Sequence, residues 1–301
     1  MLTNATLLAV LLQAPRAAHA PEDAYALVFA SGRSGGGDLY VLAPGESTPR
    51  LFAGTEAPEG TPRWDAARSR VVYQRFPADG AEEPTLLVGR GAAEGAESGK
   101  VLFADPNGDA PPVWSPDGSR IAYVAERDGR TDLFLADADG GSERRLTDDA
   151  IVDRYPAWHP DGKRLVVARR LAGGWDLCTL DVDEPGAEPL RVTRDERYVG
   201  HPAWSPDGGS IAFDTTFAGD AEIALVDVET GEVRRLTKRP GNDLVPAWSP
   251  GGAWIAFGGV RPADGNWDLW RVEVATGETR RLTEHAAFDG APVFVPAALL
   301  E

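Results

Sequence analysis

The sequence is poor in cysteine, in positive charge and in long apolar runs. A single cysteine, Cys178, excludes an intrachain disulfide, and its place in an apolar strand pattern indicates a packing residue rather than a nucleophile. Lysine and arginine number 30 against 47 for aspartate and glutamate, so the formal net charge is −17. Such a field repels a phosphate backbone, and we expect no nucleic-acid partner.

The apolar run from Leu7 to Leu12 is too short to span a bilayer, and we expect no transmembrane segment in the mature chain. The Ala18-His19-Ala20 segment after it resembles a cleavage site, so we interpret residues 1–20 as a signal peptide or a disordered leader. Neither lysine nor arginine precedes the run, which departs from the usual signal-peptide pattern. The interpretation places the mature protein in the periplasm or outside the cell.

A seven-residue motif recurs along the chain. Its complete form, Pro-Val-Trp-Ser-Pro-Asp-Gly, occupies 112–118. The aromatic residues of its full and weaker copies are Trp64, Trp114, Trp158, Trp204, Trp248 and Phe294, with spacings of 50, 44, 46, 44 and 46 residues. A fixed period of about 40–45 residues is typical of the four-stranded blades of a β-propeller.

Each repeat divides into four predicted strands. In 112–152, a short strand at 112–114 is followed by a Pro-Asp-Gly turn and by a strand at 120–125 that is apolar on both faces. That pattern is typical of a sheet covered on both sides. A third strand begins at Asp132, and the fourth, at 143–147, is charged, which protects an outer edge against pairing with other chains.

The two ends of the chain complete one blade. Residues 25–29 match a second strand of the repeat, and 291–295 match a first strand. We therefore predict an all-β fold, a six-bladed β-propeller of four-stranded antiparallel blades that is closed by a shared N- and C-terminal blade. The single domain at 21–301 has predicted blades at 25–58 plus 291–295, 59–108, 109–152, 153–198, 199–242 and 243–288.

The repeated Pro-x-Trp-Ser-Pro-Asp-Gly, followed by Ile-Ala-Tyr/Phe, Asp-Leu-Phe and Arg-Leu-Thr, resembles the WD40-like repeats of TolB-type β-propellers. The propellers of dipeptidyl-peptidase-IV-like and prolyl-oligopeptidase-like enzymes carry similar repeats. The resemblance covers 25–295 and implies a propeller of the cell envelope that binds proteins or peptides. We expect a free-standing propeller, since the sequence shows no counterpart of the α/β domains that TolB and the peptidases add.

Acidic residues recur three positions before the proline of the predicted inner strand. The six positions are Glu59, Asp109, Asp153, Val199, Asp243 and Asp289. The structural interpretation is that each carboxylate accepts hydrogen bonds from loop amides of its own blade. The alternative is a ring of carboxylates at the mouth of the channel, which binds a basic peptide or a cation such as calcium. No other cofactor is expected.

Aromatic and basic side chains are predicted on the same face as the acidic positions. Packing between blades explains many such aromatics; the alternative is a surface for a peptide or a sugar. With the five acidic residues above, they make up the predicted partner-binding site: Arg154, Tyr155, Trp175, Arg197, Tyr198, His201 and Trp267.

Catalytic motifs are weak in this sequence. Residues 32–36 match G-x-S-x-G but lie in a glycine-rich loop between strands, where the strand-to-helix elbow of a hydrolase is missing. No histidine pair has metal-ligand spacing. We therefore expect a non-catalytic protein- or peptide-binding scaffold, and an enzyme is left open. The alternatives are a carbohydrate-active propeller, as a lectin or as a lyase or hydrolase using channel carboxylates, and a structural subunit of a fixed complex.

Overall fold

The computed structural model describes residues 24–54, 58–76, 85–91, 100–105, 112–138, 141–194, 198–217 and 219–300. These residues form six antiparallel sheets of four strands each, which we call blades. The chain is an all-β propeller, as predicted. Among these residues no helix combines the length and the apolarity needed to cross a membrane.

The first three blades have the following strands. Blade 1 contains β24 (Asp289–Pro296), β1 (Tyr25–Ser31), β2 (Asp38–Leu42) and β3 (Arg50–Ala53). Blade 2 contains β4 (Glu59–Asp65), β5 (Arg70–Arg75), β6 (Thr85–Gly91) and β7 (Lys100–Asp105). Blade 3 contains β8 (Val113–Trp114), β9 (Arg120–Arg127), β10 (Arg130–Asp137) and β11 (Arg144–Arg145).

The other three blades follow the same order. Blade 4 contains β12 (Asp153–Trp158), β13 (Arg164–Leu171), β14 (Gly174–Asp181) and β15 (Leu190–Arg191). Blade 5 contains β16 (Val199–Trp204), β17 (Ser210–Phe217), β18 (Asp220–Asp227) and β19 (Val233–Arg235). Blade 6 contains β20 (Asp243–Trp248), β21 (Trp254–Val260), β22 (Trp267–Glu273) and β23 (Thr279–Arg281). Short 3-10 helices lie at Ala66–Arg68 and Ala297–Leu300.

The Ser-Pro-Asp-Gly turn is held by its own side chains. Asp117 accepts hydrogen bonds from the Ser115 hydroxyl at 2.5 Å and from the Ser119 amide at 3.0 Å, which hold its pKa at about 2. Gly118 takes a φ of +69°, which a residue with a side chain rarely adopts. The Ser115 oxygen then accepts the amide of Arg120, the first residue of β9. The turn therefore fixes where the second strand starts.

Blade 1 joins the two ends of the chain, as the sequence predicts. Strand β24 pairs with β1, and Phe294 lies opposite Leu27. Neighbouring blades pack face to face through their second and third strands, which is why these strands are apolar on both sides. The largest fully buried side chains include Phe29, Phe213 and Phe257. Cys178 is buried in the core, as expected, and burial raises its pKa to about 12.

The inner strands begin earlier than the sequence suggested. The acidic residues before the prolines, predicted to lie in loops, are instead the first residues of β4, β12, β20 and β24. Their backbones pair with the second strand; Asp153, for example, lies opposite Arg169. Likewise, β24 extends over 289–296 rather than 291–295. The predicted signal peptide at 1–20 lies outside the described residues.

Candidate functional site

Five inner strands share a bulge at the residue before their proline. This residue has a positive φ, between +43° and +57°, in Thr61, Tyr155, His201, Val245 and Ala291. The pairing with the second strand shifts at the same place in blades 2, 4, 5 and 6. A bulge re-aims a side chain out of the regular alternation of a strand. The bulge residues therefore mark the positions where the repeat presents variable side chains.

The central channel encloses a cavity of about 400 Å³. Three bulge residues, Tyr155, His201 and Val245, line it. The rest of the wall is built mainly from prolines and from the aromatic residue of each repeat, which are Trp64, Trp114, Trp158, Trp204, Trp248 and Phe294. The wall is therefore mainly apolar, and Arg63, Tyr155 and His201 contribute polar side chains to it.

The polar groups of this wall meet at Asp214, a fully buried residue of β17. Its Oδ1 atom lies 2.8 Å from Nδ1 of His201 and accepts the amide hydrogen of Val245 at 3.1 Å. The ring of Tyr155 packs on the imidazole, with centroids 4.2 Å apart. Burial and the Asp214 carboxylate raise the pKa of Tyr198. These groups join blade 4 to blades 5 and 6.

Asp214 was not singled out from the sequence, although the repeat contains a signal. Blade 5 has Val199 where the inner strands of blades 1, 2, 4 and 6 begin with an acid, and it carries its carboxylate on the second strand instead. Blade 2 has a similar pair, in which the hydroxyl of the bulge residue Thr61 donates to Gln74. Comparison of the same second-strand position across the repeats would have found both residues.

The predicted acidic residues are buried and paired with arginines. Arginine lies 3.0 Å from Glu59, 2.7 Å from Asp153 and 2.5 Å from Asp289, in the pairs with Arg75, Arg169 and Arg33. Asp243 pairs with Arg239. None of these four carboxylates lines the channel cavity. Asp109 lies outside the described residues, and the predicted role of this ring in binding a cation or a basic peptide stays a prediction.

Burial also shifts the protonation of two of these carboxyls. Desolvation raises the pKa of Asp153 to about 6, although Arg169 and the Thr147 hydroxyl oppose the shift. Desolvation likewise raises the pKa of Asp243 to about 7, against the opposing effect of Arg239. Within the described residues, no group of three or more His, Cys, Asp or Glu side chains is arranged to hold a metal ion.

A second set of buried acids lies at the start of the third strands. Thr237 of the Arg-Leu-Thr motif accepts the amide hydrogen of Ile223 at 2.9 Å and donates to Glu222 at 2.7 Å. Arg235 of the same motif pairs with Glu222. Blades 3, 4 and 6 have the corresponding arginine–acid pairs, Arg145–Asp132, Arg191–Asp176 and Arg281–Asp268. The repeated acidic and Arg-Leu-Thr motifs therefore have a structural role.

The remaining predicted residues form two groups at the end of the propeller where the inner strands begin. Exposed Arg154 lies over the ring of half-buried Trp175, with its guanidinium carbon 5.4 Å from the centroid, next to Tyr155. Trp267 lies apart from them on blade 6 and contacts exposed Phe288, with centroids 6.2 Å apart. Arg197 lies outside the described residues. We call the group of Arg154, Tyr155, Trp175, Tyr198, His201 and Asp214 the channel-mouth cluster.

Comparison with known proteins identifies relatives of the repeats. A family model described as "TolB beta propeller domain" matches residues 49–174 and 169–299. The Tol-Pal system protein TolB of Thioalkalivibrio sulfidiphilus is 30% identical over 81 residues, which cover 27% of this chain and 18% of that protein. TolB of Anaeromyxobacter dehalogenans strain 2CP-1 is 49% identical over 41 residues, 14% of this chain and 9% of that protein. The matches thus span less than a fifth of these relatives.

Solved structures show the same fold at low sequence identity. TolB from Acinetobacter baumannii superposes with a TM-score of 0.76 and 18% identity, over 92% of this chain and 68% of that one. An oligogalacturonate lyase in complex with manganese superposes with a TM-score of 0.58 and 16% identity, over 87% of this chain and 74% of that one. At these identities the structural similarity supports the fold only. The function must be inferred from the residues of the candidate site.

Proposed function

Because this chain belongs to the TolB β-propeller family, we propose that it is a non-catalytic scaffold that binds a protein or peptide segment in the cell envelope. The curated relatives are named as proteins of the Tol-Pal system, which supports an envelope role. The partner contacts the channel-mouth cluster, and one of its side chains or a short segment enters the cavity.

The observation that carries this proposal is the pairing of Tyr155 and His201 on the wall of the channel cavity. The two rings line an aromatic-rich space of about 400 Å³, and exposed Arg154 precedes Tyr155 in the chain. Aromatic residues and arginine are enriched among the residues that dominate protein-binding energy. Asp214 holds the imidazole in place, so little side-chain freedom is lost when a partner binds.

Two finer statements belong to the same proposal. The six blades form one closed ring, in which the pairing of β24 with β1 joins the ends. Residues 1–20 are a signal peptide, so that the mature protein acts in the periplasm or outside the cell. Intact-mass measurement of the protein purified from an envelope fraction tests this statement, because cleavage after Ala20 gives a mature chain that begins at Pro21.

The proposal is tested by quantitative capture of partners from an envelope extract with Arg154→Gln as bait. The matched control is Arg164→Gln, because Arg164 also lies over a tryptophan, Trp204, at 5.8 Å, but belongs to the opposite end of the inner strands. We expect a protein that wild type and Arg164→Gln retain and that Arg154→Gln loses. Equal retention by both variants would place the interface elsewhere.

A second candidate function is binding or cleavage of a carbohydrate. The His201 imidazole, oriented by a buried carboxylate beside a cavity, supports it, because this is how acid–base groups are positioned in many enzymes. The fold likeness to an oligogalacturonate lyase is compatible with it. Incubation with oligogalacturonides separates the two functions. Product formation that His201→Asn abolishes would favour an enzyme, and the absence of product would favour the scaffold.

A further inference from the structure

Blade 1 differs from the other blades because no turn joins its first two strands: β24 ends at Pro296, and β1 begins at Tyr25. Elsewhere this turn packs on the preceding blade. A Cβ atom placed on Gly162 would lie 3.8 Å from Cδ of Pro116, and one on Gly252 would lie 3.8 Å from Cδ of Pro206. Pro250 of blade 6 has the corresponding position, but it faces a groove.

We call this space between blades 6 and 1 the seam groove. Its volume is about 670 Å³, which lies within the range of roughly 300–1,000 Å³ that is usual for small-molecule sites. Its walls are mainly apolar and aromatic, and they include Tyr25, Leu27, Leu42, Trp254, Leu282 and Phe294. Trp254 is half-buried there and takes the position of Arg120 in blade 3, which donates to the carbonyl of Gly162 in the next turn.

Two further differences between the repeats alter the hydrogen bonds around the seam groove. In blade 6, the amide of Val274 donates to Ala253; the corresponding residue of blade 1 is Pro44, which has no N–H. In blade 5, the guanidinium of Arg234 donates to the carbonyl of Val274 in the next blade at 3.0 Å. Arg280 is its counterpart in blade 6. It makes no such bond to a described residue and lines the groove.

The charges at the seam groove favour an anion. Arg271 lies over the Trp254 ring, with its guanidinium carbon 4.0 Å from the centroid, and Arg280 stands beside it. Glu46 is the one carboxylate among the described lining residues. Guanidinium groups bind carboxylates through paired, charge-assisted hydrogen bonds.

We propose that the seam groove binds a small amphipathic carboxylate, a medium-length alkyl chain that ends in a carboxyl group. The alkyl chain lies against Leu27, Leu42 and Phe294, and the carboxylate is bound by Arg280. The apolar walls favour an apolar body, and the exposed guanidinium of Arg280, which has no hydrogen-bond or ion-pair partner among the described residues, favours an anionic head. This site is separate from the channel-mouth cluster and does not depend on the proposed function.

Calorimetric titration of the full chain with decanoate tests the proposal, with decanol and decylamine as uncharged and cationic comparators. We expect decanoate to bind up to about fivefold more tightly than decanol, the affinity ratio that corresponds to about 1 kcal/mol, the upper end for an ion pair with an exposed side chain such as Arg280. Arg280→Gln is expected to remove this preference. The matched control Arg234→Gln, which loses only the bond to Val274, is expected to retain it.

A second pair of variants tests the location of the ligand. Ala253 is exposed at the rim of the seam groove, and Lys163 has the same position in blade 4. Ala253→Trp should fill the groove and abolish binding, and Lys163→Trp should leave it unchanged. Equal affinity for decanoate and decanol, equal losses in the two arginine variants, or binding that survives Ala253→Trp would overturn the proposal. If another part of the chain fills the groove, none of the three compounds will bind. That result would also overturn the proposal.

Discussion

His201, which lines the channel, pairs with Asp214 behind it, with Nδ1 and Oδ1 2.8 Å apart. Asp214 is fully buried and also accepts the amide of Val245, so one carboxylate supports two neighbouring inner strands. It thereby fixes the orientation of a side chain at the channel mouth and the packing of blade 5 on blade 6. Its removal should affect both.

Asp214→Ala is expected to lower the free energy of unfolding by about 1–2 kcal/mol, because it leaves Nδ1 of His201 and the amide of Val245, both half-buried, without their acceptor. Asp214→Asn retains an amide oxygen and should cost less. Urea denaturation of the two variants and wild type measures the difference. If Asp214→Ala unfolded at the wild-type urea concentration, Asp214 would not have the structural role described here.

Gly200→Ala tests how closely the backbone of Gly200 packs against Tyr198 and Asp214 in the channel-mouth cluster. A Cβ atom there would lie 2.5 Å from the hydroxyl oxygen of Tyr198 and 2.7 Å from Oδ2 of Asp214. Such overpacking is expected to cost about 1–3 kcal/mol. Gly209→Ala in the same blade is the control, because the nearest atom, Oδ1 of Asp207, is 3.6 Å away. A thermal-melting series in which both variants lose the same stability would refute the steric explanation.

The stability of the propeller should depend on the raised pKa values of Asp153 and Asp243. Their pKa values in the folded protein, about 6 and about 7, exceed the ordinary value of 3.8, so the folded chain binds more protons than the unfolded chain between about pH 4 and pH 7. These two carboxyls therefore make the free energy of unfolding fall as the pH rises through this window. Asp243→Asn should make that fall shallower.

Urea denaturation at four pH values between 5 and 8 measures this dependence for wild type and Asp243→Asn. Asp148→Asn is the control, because Asp148 is an exposed acid whose pKa Arg130 lowers, which places its titration below the measured range. Parallel profiles for wild type and Asp243→Asn would show that Asp243 does not titrate as described.

Deletion of 289–301 should abolish the cooperative unfolding of the whole domain, because β1 loses its neighbour β24 and blade 1 no longer closes the ring. Deletion of 297–301 is the control. It keeps β24 and removes only the terminal 3-10 helix, of which Leu299 is buried, so a modest decrease in melting temperature is expected. Calorimetry compares the two. A cooperative transition in the longer deletion near the wild-type temperature would contradict closure by β24.

The fold could be predicted from the sequence because most repeats share the same local signals, which are complete in blades 3, 4 and 5. The tryptophan, the Pro-Asp-Gly turn and the doubly apolar second strand agree in copy after copy, and the turn at 115–118 specifies its own hydrogen bonds. The pairing of the chain ends followed from the strand types found at 25–29 and 291–295. Strand limits were less accurate, because backbone pairing before the bulge leaves no clear pattern of apolar side chains.

The candidate site was harder to predict, because it arises where the repeat is broken. Asp153 and Asp243 repeat regularly, and this regularity reflects buried ion pairs within the blades. The channel residues that differ from blade to blade include Tyr155 and His201, whose direction depends on a bulge with positive φ. No other blade has a charged residue at the second-strand position of Asp214. The repeat pattern therefore does not single out this residue.

The most direct test of the proposed scaffold function is photo-crosslinking in intact cells from a photoreactive amino acid placed at position 154 or at position 164. Both residues are basic and belong to blade 4: Arg154 lies at the start of the inner strand β12, and Arg164 is the first residue of β13, after the turn at the other end of β12. The account predicts a defined crosslinked protein from position 154 and none from position 164. The same crosslinks from both positions, or a partner found only from position 164, would contradict it.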